Sequence, residues 1–162
     1  MTEARTASTV LVLRPATPAD AARLLEWRND PAVVGFSLTG RPVTATDHAE
    51  WLAARLGRSP SRLWIAEEGV DPVGQVRVDL EDGTGTVSIG VAREHRGRGL
   101  GSRMLRAVVV AMEPDVEVRN LRALVHPENV ASMLAFEHVG FSDTGGRHQG
   151  FVEFARSVEA NP

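Results

Sequence analysis

Ser88-Ile-Gly-Val-Ala-Arg-Glu-His-Arg-Gly-Arg-Gly-Leu-Gly-Ser102 decides the reading of this chain. An apolar strand ends at Val91, and a short basic turn then carries Gly97, Gly99 and Gly101 in alternation. Met104, Leu105, Val108, Val109 and Met112 follow at helical spacing. Strand, glycine-rich turn and helix together point a row of backbone N–H groups at a phosphate. Glycine accepts positive φ and close approach, and the helix N-terminus adds free donors and the positive end of its dipole. Arg96 and Arg98 flank the turn and suit phosphate oxygens. A nucleotide P-loop needs Gly-Lys before Ser or Thr, and the chain has no lysine. A dinucleotide fingerprint fails as well, because Ser102 stands where its third glycine belongs.

Downstream, His126-Pro-Glu-Asn129-Val-Ala-Ser132-Met-Leu-Ala-Phe136-Glu-His-Val-Gly140-Phe141 has a matching local logic. Leu121 to Val125 alternates as a strand and Pro127 ends it. Met133, Leu134, Phe136 and Val139 then read as a helix that stops at Gly140. The string Arg96-Gly97-Arg98-Gly99-Leu100-Gly101 and this Asn-to-Gly-Phe segment resemble the two signatures of the GNAT acyl-CoA N-acyltransferases, in order and at ordinary separation. The resemblance implies an α/β fold: a mixed, mostly antiparallel sheet of about seven strands flanked by about four helices, with its fourth and fifth strands splayed. It implies acetyl-CoA as cosubstrate, with the pantetheine arm along Ile89, Gly90 and Val91. The pyrophosphate would lie on Arg96, Gly97, Arg98, Gly99, Leu100, Gly101 and Ser102. Asn129, Ser132 and Phe136 would also border the cofactor.

Composition agrees. At 162 residues the chain is of single-domain size, expected over residues 9–158 with loose tails at 1–8 and 159–162. A net charge of −3 gives no footprint for nucleic acid, and no apolar run reaches membrane-spanning length. The N-terminus lacks the basic-then-apolar form of a signal peptide, so a cytoplasmic enzyme, monomeric or homodimeric, is expected. Without cysteine there is no disulfide framework and no thiolate zinc site, and no metal is expected.

Around the two motifs the pattern alternates strands and helices. Val10 to Arg14 reads as a strand, and Thr17-Pro18 opens a helix that Asn29-Asp30-Pro31 stops. A looser stretch follows, after which Thr44 or Thr46 caps a helix with Ala49, Leu52, Ala53 and Leu56 on one face. Strands are expected at 63–66, 73–80, 86–91, 141–144 and 151–155.

Catalytic residues are constrained by what is missing. Many GNAT relatives protonate the departing thiolate with a tyrosine four residues before the Gly of Gly-Phe. That position is Phe136, and the chain has no tyrosine. Some relatives use a serine eight residues before that Gly, where Ser132 stands; its hydroxyl serves either as that donor or as a helix-surface group. Asn129 caps its helix, binds the pantetheine arm, or does both. With no cysteine there is no acyl-cysteine intermediate, which leaves direct attack by a neutral amine in a ternary complex. Gln75, Arg77 and Asp79 alternate onto one face of their strand. If that face lines the cleft, Asp79 is a candidate base and Arg77 a substrate anchor, and otherwise the face is solvated. His126 is the rival base.

The expected acceptor is a small-molecule amine, with a protein N-terminus as the alternative. Leu25-Glu-Trp27-Arg28-Asn29-Asp-Pro31, Thr46-Asp-His-Ala-Glu-Trp51 and Pro72-Val-Gly-Gln-Val-Arg-Val-Asp79 resemble GNAT enzymes that acetylate the 4-amino group of nucleotide-linked amino-deoxysugars. Ribosomal-protein and antibiotic acetyltransferases share similar segments. Under that resemblance Trp27 or Trp51 stacks on sugar or base, and Arg28 or Arg77 pairs with the diphosphate, with Asn29 and Gln75 alongside. Both tryptophans can equally be packing residues. A non-catalytic acetyl-CoA sensor is the reading from another class.

Overall fold

The structure is a computed structural model that describes residues 9–58 and 60–158; the expected loose tails lie outside the described residues. Seven strands form one sheet in the order β1-β2-β3-β4-β5-β7-β6. They are β1 (Leu11–Pro15), β2 (Leu63–Glu68), β3 (Asp71–Glu81), β4 (Thr84–Val91), β5 (Asn120–Val125), β6 (Ser142–His148) and β7 (Phe151–Ser157). Every pairing is antiparallel except β4 with β5. The helices are α1 (Ala21–Arg28), α2 (Pro31–Phe36), α3 (Ala45–Leu56), α4 (Leu100–Met112) and α5 (Val130–His138).

The sheet buries its two faces differently. On one side Met104, Leu105, Val108 and Met112 of α4, with Phe136 and Val139 at the end of α5, meet Val76, Val78, Val87, Leu121, Ala123 and Phe154 of the strands in the main core. On the other side α1 and α3 cover only the β2 end, where Leu24 and Leu52 close on Leu63 and Ile65. Trp27 and Trp51 pack against the edge of this smaller cluster. The rest of the second face, over β4, β5 and β7, is where polar side chains gather.

Five helices stand where about four were expected. The extra one is α2, because Asp30-Pro31 both stops α1 and starts the next helix. The Asp30 side chain accepts a hydrogen bond from Ala32 N at 2.9 Å, and Pro31 occupies the first turn. Thr44, rather than Thr46, caps α3 by accepting from Asp47 N at 3.1 Å. The helix expected from Pro18 begins as a short 3-10 turn at Pro18–Asp20. There Asp20, 2 % exposed, accepts from Thr17 N and from both Nη atoms of Arg14 at 2.8 Å.

Candidate active site

The central opening comes from a failure of pairing. β4 and β5 run parallel through three register pairs only, Thr84–Asn120, Gly85–Leu121 and Thr86–Arg122. Beyond them Val87 to Val91 bond only to β3, and Ala123 to Val125 only to β7. The β5-facing main-chain edge of Ile89, Gly90 and Val91 is therefore unpaired by any strand, as a pseudo-strand ligand requires, with the Val91 carbonyl met by Arg96 Nε. Gly74 lets β3 and β4 close tightly at this point, since a Cβ there would lie 2.3 Å from the Gly90 carbonyl oxygen.

The turn after β4 carries the anion chemistry. Gly97 and Gly99 have φ of +76° and +72°, the left-handed region, and neither would meet an atom within 4 Å if it carried a Cβ. Conformation, rather than crowding, is what these positions demand. Among the described residues the N–H groups of Gly97 to Ser102 have no protein acceptor. Six consecutive donors thus sit in the turn and the first turn of α4. The arginines are placed differently from the sequence expectation. Arg96 Nε donates to the Val91 carbonyl at 3.0 Å and its Nη1 lies 3.4 Å from Asp30. Arg98 bonds Glu68 at 2.8 Å, and Arg103 holds the same carboxylate at 2.7 Å. Both expected phosphate arginines brace the loop with part of their guanidinium groups, beside its six free backbone donors.

At the opposite side of the opening Asn129 caps α5 by accepting from Ser132 N at 3.2 Å, which leaves its amide nitrogen available. Ser132 is half-buried in the first turn, and among the described residues its hydroxyl has no partner. Phe136 does not border the opening. It is 2 % exposed, edge-on to Phe141 at 5.0 Å and stacked with Phe154 at 6.2 Å, so it belongs to the core. It stands on the same face of α5 as Ser132, one turn further along, where the helix closes on the core.

Register places Gln75 beside Gly90, Arg77 beside Ser88 and Asp79 beside Thr86, with Arg122 continuing the same face. Gln75 lies against the Gly90 backbone, where an added Cβ would meet its Cγ at 3.6 Å. Arg77 donates to Ser88 Oγ at 3.2 Å. Arg55 of α3 pairs with one Asp79 oxygen, and Arg77 Nε lies 3.0 Å from the other without aiming its N–H at it. Both carboxylate oxygens are thus occupied by guanidinium groups, which suits Asp79 to an ion-pair role better than to that of base. Trp51 lies beneath both cations, at 5.5 Å from Arg55 and 5.7 Å from Arg77. Burial holds the Arg77 guanidinium below its ordinary range, with Asp79 opposing and Arg55 and Arg28 reinforcing the shift.

His126 stands at the end of β5 between Phe36 at 5.3 Å and Phe151 at 5.4 Å. Its Nδ1 accepts from Glu128 N at 3.1 Å, a bond that selects the neutral tautomer protonated on Nε2. In that tautomer the ring offers a donor, and acting as a base would require giving up the Glu128 bond. Asn29 serves the loop before α3, since its side chain bonds both the N–H and the carbonyl of Val43 at 2.8 Å. Trp27 faces a groove of about 590 Å³ between α1 and the turn after β4, lined by Glu26, Asp71, Glu94 and His95. Its neighbour Arg28 turns inward, 3.4 Å from Thr39 Oγ1. Glu153, which sequence reasoning passed over, bonds His148 and Thr144 at 2.8 Å on the strand beside β5. Thr144 holds its carboxyl below the usual range, with His148 and Arg122 adding to the effect. The alternation of Phe151–Ser157 was the available signal, but pairing with β5 is a tertiary fact.

Known proteins share this fold. The acetyltransferase (GNAT) domain model matches residues 10–142. The aminoglycoside N(6')-acetyltransferase type 1 of Klebsiella pneumoniae is 28% identical over 151 residues, covering 83% of this chain and 75% of the relative. The phosphinothricin acetyltransferase candidate YwnH of Bacillus subtilis (strain 168) is 30% identical over 143 residues, covering 76% of this chain and 84% of that protein. In structure, the RimL ribosomal L7/L12 alpha-N-protein acetyltransferase solved with coenzyme A superposes at a TM-score of 0.82. That likeness covers 95% of this chain and 97% of the other at 16% identity, and it speaks for the fold. With its sheet parted between β4 and β5 and its glycine turn opening α4, the chain belongs to the GNAT acetyltransferase family.

Proposed function

We propose that this protein moves the acetyl group of acetyl-CoA directly to the primary amine of a small molecule. The observation that carries the reading is the unpaired edge of Ile89–Val91 running into six free N–H groups at Gly97–Ser102. Acetyl-CoA supplies an activated thioester. The chain's backbone from Ile89 to Val91 orients the arm, the turn holds the phosphates, and Asn129 adds a side-chain donor. Ser132 donates a hydrogen bond to the sulfur as negative charge develops there, helped by the positive end of α5. As the C–N bond forms and the C–S bond breaks, the amine proton leaves to water on the open face of β4 and β5. Asp79 and His126 shape that face.

Two acceptor readings have support. The Trp27–Pro31 and Pro72–Asp79 segments, with the guanidinium groups beside Trp51, support a nucleotide-linked amino-deoxysugar. The relation to an aminoglycoside acetyltransferase supports an amino-sugar antibiotic. Thiol release from acetyl-CoA separates them, since a cysteine-free protein adds no background. A panel of UDP-4-amino-deoxysugars, aminoglycosides, polyamines and short peptides is expected to give turnover with one amine class. Acetyl-CoA binding with silence across the panel would favour the sensor reading.

A further inference from the structure

We infer that the acceptor carries an anionic group, carboxylate or phosphate, that docks on the guanidinium cluster Arg28–Arg55–Arg77 beside Trp51. This rests on the acetyltransferase reading and concerns the acceptor half of the same site.

The cluster is out of electrostatic balance. Arg55 and Arg77 share a single carboxylate, Asp79. Arg28 has no carboxylate partner among the described residues, and its hydrogen bonds go to Thr39 Oγ1 and the Arg41 carbonyl, both at a long 3.4 Å. Arg28 is nevertheless near enough to act electrostatically on Arg77 and on the buried His48. Two cations thus share one carboxylate, with Arg28 a third positive charge near Arg77, whose own guanidinium is desolvated. Buried Nη1 of Arg28 and Nε of Arg77 also lack hydrogen-bond partners. An uncompensated cation of this kind is costly unless a second anion arrives.

The location turns this imbalance into specificity. Arg77 reaches Ser88 of β4 at 3.2 Å, directly beyond the last β4–β5 register pair at Thr86–Arg122. An acceptor whose anion rests on Arg77 therefore lies beside the point where the strands part. About a third of the Arg77 side chain is open to solvent, so the outer edge of its fork is reachable. Polycationic amines would meet like charge there, which separates this chain's preference from that of its aminoglycoside-acetylating relative.

The first test uses inorganic pyrophosphate as a probe on protein saturated with coenzyme A, so that the glycine turn is already filled. Calorimetry is expected to show saturable pyrophosphate binding, weakened at least tenfold in Arg28→Gln and in Arg77→Gln, with wild-type coenzyme A affinity in both. Arg28→Lys keeps the charge and is expected to recover binding to within threefold. No uptake by the saturated wild type, or wild-type uptake by both glutamine variants, overturns the inference. Loss of coenzyme A binding by the wild type would instead overturn the acetyltransferase reading. Matched acceptors form the second arm and distinguish the sources of the anion: a UDP-4-amino-deoxysugar against the free amino sugar, and phosphinothricin against its amide. The anionic member of one pair is expected to lead by at least tenfold in kcat/KM, equivalent to about 1.4 kcal/mol. Turnover confined to neutral or cationic amines refutes the inference.

Discussion

Gly99→Val tests the anion-binding turn at its most demanding residue. Gly99 precedes α4 with φ +72° and ψ +15°, and nothing lies within 4 Å of where a Cβ would be. The substitution therefore brings no clash, and its whole cost is the left-handed backbone, about 2 kcal/mol for a β-branched side chain. If the turn relaxes in the free protein, binding must restore it. Coenzyme A affinity then falls about thirtyfold while Tm stays near wild type. If the turn holds its shape, the same energy appears as a Tm lowered by roughly 4–8 °C, at 2–4 °C per kcal/mol for a domain of this size. Titration calorimetry and a thermal melt on one preparation measure both shares, which should sum to the backbone cost. Gly99→Asn, which tolerates this conformation, is expected to lose less than about fivefold. Gly101→Ala serves as the stability control, because its Cβ would make ordinary contacts at 3.6 Å with Ala135 and 3.7 Å with Ile89. A valine variant with coenzyme A affinity within threefold of wild type and an unchanged Tm would refute the reasoning.

Ser132→Ala is expected to lower kcat roughly 10²-fold with little change in acetyl-CoA affinity, and undiminished turnover would remove the serine from the chemistry. Gly74→Ala drives a methyl group to 2.3 Å from the Gly90 carbonyl oxygen, so a denaturant melt should show a loss of about 2–3 kcal/mol. Asp20→Asn leaves Arg14 without its buried partner and should cost about 3 kcal/mol at neutral pH by the same measurement. Acidification should reduce Tm in two stages. Burial and the nearby Arg28 depress the pKa of His48, so its contribution is complete above about pH 6.5 and fades as pH falls through its lower folded value. Arg14 depresses the pKa of Asp20, so its contribution is present above about pH 4 and is lost below. Asp20→Asn should abolish its share of the second stage while sparing the first.

The sequence by itself determined the parts of this protein whose physics is local. Glycines that need positive φ, a helix opening directly after them and an asparagine cap three residues before Ser132 are all read from neighbours along the chain. So were the main strands, since alternation and helical spacing record which face is buried. Tertiary structure decided everything that depends on partners far apart in sequence. Phe136 became core because α5 turns it toward Phe141 and Phe154, and Asn29 became a loop brace because Val43 lies opposite. Arg96 and Arg98 found carboxylate partners in Asp30 and Glu68. The meeting of Arg55 and Arg77 on one aspartate, with Arg28 near Arg77, joins two helices to a strand, and no spacing along the chain encodes it. Charge in a folded protein acts through space, so which cations are matched and which are left over is settled only when the sheet and its helices are in place.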